Sequence, residues 1–401
     1  MASLAATVAV LQDRATRART AMAASPALRA AGTPFVAAKL VTFLVTVLVV
    51  WSTSNAPGHP SYQDFVAPFG YWDGVNYTDI AQHGYPAGPL DLVPGHVGHL
   101  WGFFPGFSIL LRAGMFIFRD PLTTGVLINV AAELLALYYL ARLVLLERNG
   151  DERAARFACW ALAFYPDAVF LSVVYTDALF LAAAIASLYY LRRGDHTRAC
   201  VAAAVAVAVR VTGLVLVGVL LVDHLWRRRG RPGWALFDIS LAAAPALAFF
   251  LYARHQTGDF FAYSTVQGSA SYGGRHLATP SEGFLNTLHT ALGNSASSYN
   301  FLFLSDVVWG VVGLVALVYF ALNWRRFAPS LTLFSAGAWL LVTCLTYWQG
   351  LMRYEIAFIP IYLAAADLRH RRPDTARIVL AVSAGWMVFQ TYTFATGRFI
   401  V

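Results

Sequence analysis

The residues best placed to do chemistry lie in YWDGVNYTDIAQHGYP, Tyr71 to Pro86, where two carboxylates and an imidazole follow a tryptophan. An isolated carboxylate beside an aromatic ring can serve as a general base, taking a proton from a hydroxyl as it attacks. If a helix runs from Gly74 to His83, Asp79 and His83 are four residues apart and share a face. Asp73 then falls at the helix start, where an aspartate also has the simpler task of capping backbone N–H groups. Asp79 and His83 by themselves equally describe a solvated surface pair.

Four further stretches carry polar groups inside apolar sequence. In HLWGFFPGFSILLR, Phe103, Phe104, Pro105 and Gly106 break a segment; aromatic anchoring at headgroup depth explains it without catalysis. In FYPDAVFLSVVYTDALF, Asp177 opens an apolar helix, as a partner of the helix dipole or as part of a polar cavity. In VAVAVRVTGLVLVGVLL, Arg210 stands alone among apolar residues; a buried guanidinium needs a partner, either an anionic ligand such as phosphate or a carboxylate such as Asp177 or Glu133. In YWQGLMRYEIAFIP, Arg353 and Glu355 occupy the end of a helix hairpin, where an arginine can simply snorkel to the interface.

These groups must be positioned by membrane helices. Of the 401 residues 58% are hydrophobic and only 12% charged, and mean hydropathy is +0.58, against about 25% charged in soluble domains. A net charge of +8 would suit nucleic acid, but the arginines and the single lysine, Lys39, cluster at the ends of apolar runs, as the positive-inside rule places them. Nucleic acid is therefore set aside as a partner. Cys159, Cys200 and Cys344 show no disulfide or zinc spacing.

The expected organisation is an Ala/Arg-rich cytoplasmic arm over 1–34 and one transmembrane domain over 35–401. The first span covers about Phe35 to Trp51 and is an uncleaved anchor. The interval from Lys39 to Arg112 holds no Lys or Arg but contains Asp64, Asp73, Asp79 and Asp91, so the loop 52–100 belongs outside. Further spans fit at about 122–146, 157–174, 177–192, 234–252, 301–322, 329–348, 354–368 and 376–396. Segment 101–118 is read as re-entrant or interfacial. The run 199–224 has arginines at both ends and Arg210 midway, so it is expected as two short helices meeting near Arg210 and Gly213, with something polar at the break. A second outside loop covers 253–300. The predicted fold is thus an all-α polytopic membrane protein of about eleven helices, in the plasma membrane, with a cytoplasmic N-terminus and chemistry on the extracytoplasmic face.

WDGVNYTDIAQHGY, FFPGF, YPDAVFLSVVYTDALF, VRVTGLVLVG and MRYEIAFIPIY, in that order, resemble the GPI mannosyltransferase II (PIG-V type) family of glycosyltransferases with the GT-C fold. The likeness runs from about residue 65 to 365 and is weak over 225–345. It implies transfer of mannose from a polyprenyl-phosphate-mannose donor to a lipid-linked acceptor, among membrane lipids, on the outer side. The family's WD position falls on Trp72 and Asp73, its HGY on His83, Gly84 and Tyr85, its embedded arginine on Arg210, and its arginine–aromatic pair on Arg353 and Tyr354. Asp79 stands where the family often has an apolar residue, and Asp177 where Glu is frequent, so Asp79 is assigned substrate contact and not catalysis.

A good leaving group needs a base for the acceptor hydroxyl and cations for the departing phosphate. The expectation is an inverting displacement with Asp73 as base and Arg210 and Arg353 toward the phosphate, and Arg275, His276 and His83 as further phosphate candidates. No HExxH or DxD motif is present, so no metal or other cofactor is expected. The arginine-rich, nearly lysine-free composition suggests a high-GC, actinobacterial source, with a phosphatidylinositol mannoside or similar envelope glycolipid as acceptor. The competing classes are a lipid-linked-sugar flippase or transporter, favoured by the broken 199–224 run, and a non-catalytic subunit, favoured if Asp73 is only a cap.

Overall fold

A computed structural model describes residues 25–53, 60–227, 229, 233–272, 274–293 and 298–400. Most of the expected N-terminal arm, 1–24, lies outside the described residues. The helices in chain order are α1 (Pro26–Thr53), α2 (Tyr62–Val66), α3 (Asp73–His83), α4 (Pro105–Phe118), α5 (Pro121–Glu147), α6 (Glu152–Ala163), α7 (Asp177–Arg192), α8 (His196–Val209), α9 (Leu214–Arg227), α10 (Ala235–Thr257), α11 (Ala262–Gly268), α12 (Pro280–Ala291), α13 (Ser298–Leu322), α14 (Pro329–Thr343), α15 (Leu351–Glu355), α16 (Ile359–Arg371) and α17 (Pro373–Ala395). Among the described residues the only bridge of β type is an isolated antiparallel pairing of Leu277 with Leu345.

Five of these helices are long and apolar enough to cross a membrane: α1, α5, α10, α13 from Asn300, and α17. Their outer faces leave large apolar side chains uncovered, among them Leu40, Leu44 and Leu48 on α1 and Ile378, Val379 and Val382 on α17. Stripes of that kind are satisfied by lipid. The other apolar stretches, expected as spans, are built from shorter helices.

Two of the predicted spans are interrupted. The stretch 157–174 is the end of α6 followed by an irregular buried segment with one short 3-10 turn at Ala168–Leu171. Pro166 is the reason: it disfavours the α region for Tyr165 and removes an N–H that the helix would use. The stretch 354–368 is α15 and α16, separated at Ile356 to Phe358 ahead of Pro360. The first helix, conversely, starts nine residues earlier than expected, at Pro26 and not Phe35, taking in the last part of the predicted arm.

The centre of the bundle is α5, α7 and α8, which pack closely because Ala178, Ala182, Ala184, Ala199, Ala203 and Ala206 are small and buried. Irregular backbone at this depth is tolerated only where its polar groups find partners. Asn129 of α5 supplies two, donating from Nδ2 to the carbonyls of Val173 and Tyr175. Lys39 of α1 is held by Glu133 and Ser172, which removes Glu133 as a partner for Arg210.

The broken 199–224 run is as the charges implied. α8 ends at Val209, Arg210 is extended with φ −151° and ψ 145°, and a single 3-10 turn over Val211–Gly213 leads into α9. Gly213 makes the fold-back possible, because a Cβ there would lie 2.4 Å from the nitrogen of Val207. Arg210 is thereby set at the break with its side chain free to turn into the bundle.

Candidate active site

Asp73 is the first residue of α3, and Trp72 before it holds φ 58° and ψ −118°. A residue with a Cβ costs on the order of 1–3 kcal/mol in such sparsely populated regions and stays there only when its surroundings impose it. Trp72 packs edge-on against Phe399 with ring centroids 5.0 Å apart, and the Asp73 N–H donates to Tyr175 Oη at 3.1 Å. The chain is thus turned so that Asp73 is not a cap: the N-cap residue is Trp72, with no side-chain capping bond. The Asp73 carboxylate accepts no hydrogen bond from the described residues, and Arg353 Nη1 stands 3.7 Å from its Oδ2.

Arg353 and Arg210 come from α15 and the α8–α9 break and meet on the same carboxylate. Arg353 donates from Nε to both oxygens of Asp177 at 3.1 Å and from Nη2 to Oδ2 at 2.7 Å; Arg210 Nη1 reaches Oδ1 at 2.7 Å. Aromatic faces complete the arrangement. The Arg353 guanidinium lies 4.6 Å from the centroids of both Phe170 and Tyr175, and Arg210 lies 5.0 Å from that of Tyr354. Asp177 therefore serves as the buried counter-ion of two arginines, which accounts for the helix break without a transport path.

These groups open on a cavity of about 620 Å³, within the range of small-ligand sites. Its wall joins both predicted outside loops and the start of segment 101–118: Trp72, Asp73, Tyr77, Gly102, Phe103 and Phe104 from one side, and Tyr263, Gln267, Tyr272, Arg275 and His276 from the other. Gln267 Nε2 donates to the carbonyl of Gly102 at 3.3 Å, and the His99 ring stacks on Tyr272, so the loops are bonded to each other. Arg275 Nη2 donates to Gln267 Oε1 at 2.8 Å, while its buried Nε has no hydrogen-bond partner among the described residues. Arg275 is thus a cavity cation with no carboxylate partner among the described residues.

The Asp73 side chain is 36% exposed, and Tyr77, Tyr175 and Tyr272 line the cavity with it. Burial pushes its carboxyl above the usual carboxylate range, against the opposing pull of Arg353 and with a smaller upward push from Asp177. A carboxylate so placed is a better proton acceptor than a solvated one.

The sequence-predicted set divides accordingly. Trp72, Asp73, Arg210, Arg275, His276, Arg353 and Tyr354 all line the cavity, and Asp177 stands behind it. Asp79 and His83 form their own pair at 2.6 Å, with side-chain exposures of 34% and 73%, and do not line the cavity. Tyr85 stacks on Trp101 at 4.5 Å and donates to the carbonyl of Phe103, so it fixes the FFPG turn from behind. Sequence reasoning did not single out Tyr77, Tyr175, Tyr263, Gln267 or Tyr272. Tyr77, one helical turn after Asp73, carried a signal that periodicity could have found; the others did not.

Comparison with known proteins bears on this arrangement. Residues 62–228 match the mannosyltransferase (PIG-V) family. The resemblance read from the motifs is borne out over that range, which contains Asp73, Asp177 and Arg210. GPI alpha-1,6-mannosyltransferase 2 of Cricetulus griseus is 32% identical over 163 residues, and that of Homo sapiens 30% over 161 residues. The matched segments cover 37% and 38% of this chain and 30% of each relative, so the chain spans less than a third of the length of these relatives. Among solved structures, ArnT from Cupriavidus metallidurans, bound to undecaprenyl phosphate, superposes with a TM-score of 0.50 at 15% identity, covering 87% of this chain and 63% of that one. The fold is that of the GT-C polytopic membrane glycosyltransferases.

Proposed function

We propose that this chain is an integral-membrane mannosyltransferase that moves mannose from a polyprenyl-phosphate-mannose donor to a hydroxyl of a lipid-linked acceptor, with inversion, on the extracytoplasmic face. The observation that carries the reading is the Asp73 carboxylate, which accepts no hydrogen bond from the described residues and has only a loose 3.7 Å contact with Arg353, in the wall of a cavity that also presents Arg210, Arg275 and Arg353. The family match over 62–228 and the relatives named as mannosyltransferases support the sugar.

Asp73 takes the proton of the acceptor hydroxyl as its oxygen bonds to the anomeric carbon; the bond from that carbon to the phosphate oxygen breaks, and polyprenyl phosphate leaves with the electron pair. A double displacement would need a second carboxylate about 5–5.5 Å from the first, flanking the sugar. Asp177 is screened by its two arginines and Asp79 is outside the cavity, so neither is available. In this reading the charge on the departing phosphate falls to the arginines. Because Asp177 already occupies Arg210 and most of Arg353, Arg275 becomes the principal phosphate ligand, with His276 beside it. The acceptor is read as a phosphatidylinositol mannoside or similar glycolipid.

The deciding assay is transfer by purified protein from polyprenyl-phosphate-mannose to phosphatidylinositol mannosides. Arg275→Gln is expected to raise the donor KM about tenfold or more, since a hydrogen bond to a charged group contributes on the order of 1.5–3 kcal/mol, and to leave the acceptor KM within about twofold. No transfer to any lipid acceptor by the wild-type chain would end the reading; an unchanged donor KM in the variant would end only the role of Arg275.

Orientation is tested separately. Single cysteines at the exposed positions Val93 and Ser281, one in each loop, should react with an impermeant thiol reagent in intact cells. Reaction at either position only after permeabilisation would place the cavity on the other side.

A further inference from the structure

The arginine-rich end of the bundle holds a second cavity, of about 720 Å³, between α6, α16 and the start of α17. It is remote from Asp73: α7 runs from Asp177 at one site to Arg192 near the other, about 22 Å at 1.5 Å per residue. Arg192 pairs there with Glu147, the last residue of α5.

Four arginines at this end are already neutralised. Arg148 and Arg326 share Asp367, Arg192 takes Glu147, and Arg29 takes Glu152. Arg153, Arg156 and Arg369 differ. All three line the cavity, and none makes a side-chain hydrogen bond, ion pair or ring contact with the described residues. The two acids beside them are engaged: Asp151 caps α6 through the N–H groups of Arg153 and Ala154, and Glu152 holds Arg29.

The placement of the three is periodic. On α6, Arg153, Arg156, Phe157 and Trp160 are i, i+3, i+4 and i+7, one face with cations at the outer end and rings one turn deeper. On α16, Ala366, Arg369 and His370 face them. The cavity lies beside the ends of two helices long enough to span a bilayer, the start of α1 at Pro26 and the end of α5 at Glu147, so its cations stand at headgroup level with aromatic surface just below.

We propose that this cavity is a binding site for the phosphate headgroup of an anionic glycerophospholipid from the leaflet at the arginine-rich end. Three unpaired guanidinium groups match a phosphodiester with its bidentate donors, and Phe157 and Trp160 meet the upper part of the acyl chains. Basic pockets between membrane helices bind anionic headgroups by this combination. The site is independent of the reaction proposed at Asp73.

The test is native mass spectrometry of the detergent-purified chain titrated with dioleoyl phosphatidylglycerol, dioleoyl phosphatidylcholine or inorganic phosphate. Phosphatidylglycerol should be retained as a discrete adduct in preference to the other two. Each arginine near an anionic lipid surface contributes about fivefold in affinity, so R153Q/R156Q/R369Q should bind phosphatidylglycerol about 100-fold more weakly. The control R325Q/R371Q/R372Q, which removes the same charge at the same end, should bind it as the wild type does. R156Q alone, expected about fivefold weaker, keeps the question decidable if the triple variant does not fold. Equal binding by wild type, R156Q and the triple variant would overturn the proposal, as would equal weakening by the control or retention of inorganic phosphate as strong as that of the lipid.

Discussion

Asp73→Asn is expected to lower the rate of mannosyl transfer by at least about 100-fold, the usual cost of losing a general base, while the protein melts no lower than the wild type. The two outcomes have separate causes. The backbone bond that fixes this residue, from its N–H to Tyr175 Oη, does not involve the carboxylate, and the carboxylate makes no helix cap. Burial holds the Asp73 carboxyl above its ordinary value in the folded protein, so the ionised form costs folding free energy that grows as pH rises from the unfolded value through the raised one, and is present in full above it. Asparagine removes that cost.

The same shift fixes the pH dependence. The active species has Asp73 ionised, so kcat/KM should fall as pH drops through the raised value, above the acid limb of a solvent-exposed aspartate. The residual rate of the variant should lack that limb. Detergent melting curves and a pH–rate profile of both proteins are the measurements. More than about a tenth of the wild-type rate in the variant would remove Asp73 as base.

Asp177→Asn should be damaging in a different way, costing about 3–5 kcal/mol of stability. That is the expected penalty when one partner of a buried ion pair is removed and the charge left behind is uncompensated. Here two charges are left: Asp177 is 1% exposed and the Arg353 and Arg210 side chains 8% and 12%. Without the shared carboxylate, Arg353 has one nearby anion, Asp73, already 3.7 Å from its Nη1.

The variant that survives folding should thus have a slower reaction with its acid limb moved to lower pH, because a closer guanidinium favours the ionised carboxyl. Asp177→Glu retains the charge and should recover most of the stability. A melting temperature for Asp177→Asn within about 2 °C of the wild type would show that the Arg–Asp–Arg group is not held as the structure draws it.

Some of this organisation is written locally in the chain. Hydropathy marks α1, α5, α10, α13 and α17, because a helix that meets lipid must be apolar over about 20 residues. Charge marks the break at Arg210, because a guanidinium cannot stop midway through a lipid-facing helix without cost. The motif YWDG followed by an apolar-periodic run marks the start of α3. The predictions of continuous spans at 157–174 and 354–368 failed for one reason: an averaged apolar run outweighs a single proline, whereas the backbone does not.

Grouping Asp73, Asp79 and His83 by nearness in sequence was likewise misleading. At about 100° per residue, Asp79 points about 240° and His83 about 280° round α3 from Asp73, while Tyr77 returns to within about 40°. Only Tyr77 therefore joins Asp73 in the cavity wall. The sequence by itself determined the class of the chain, the apolar helices and the residue types available for phosphate chemistry, since hydropathy and charge act residue by residue. The tertiary structure alone decided which cation of the cavity lacks a carboxylate: Asp177 is spent on Arg210 and Arg353, and Arg275 has no carboxylate partner among the described residues. Ion pairing follows distance through space, and these four residues are spread over 177 positions of chain, from 177 to 353.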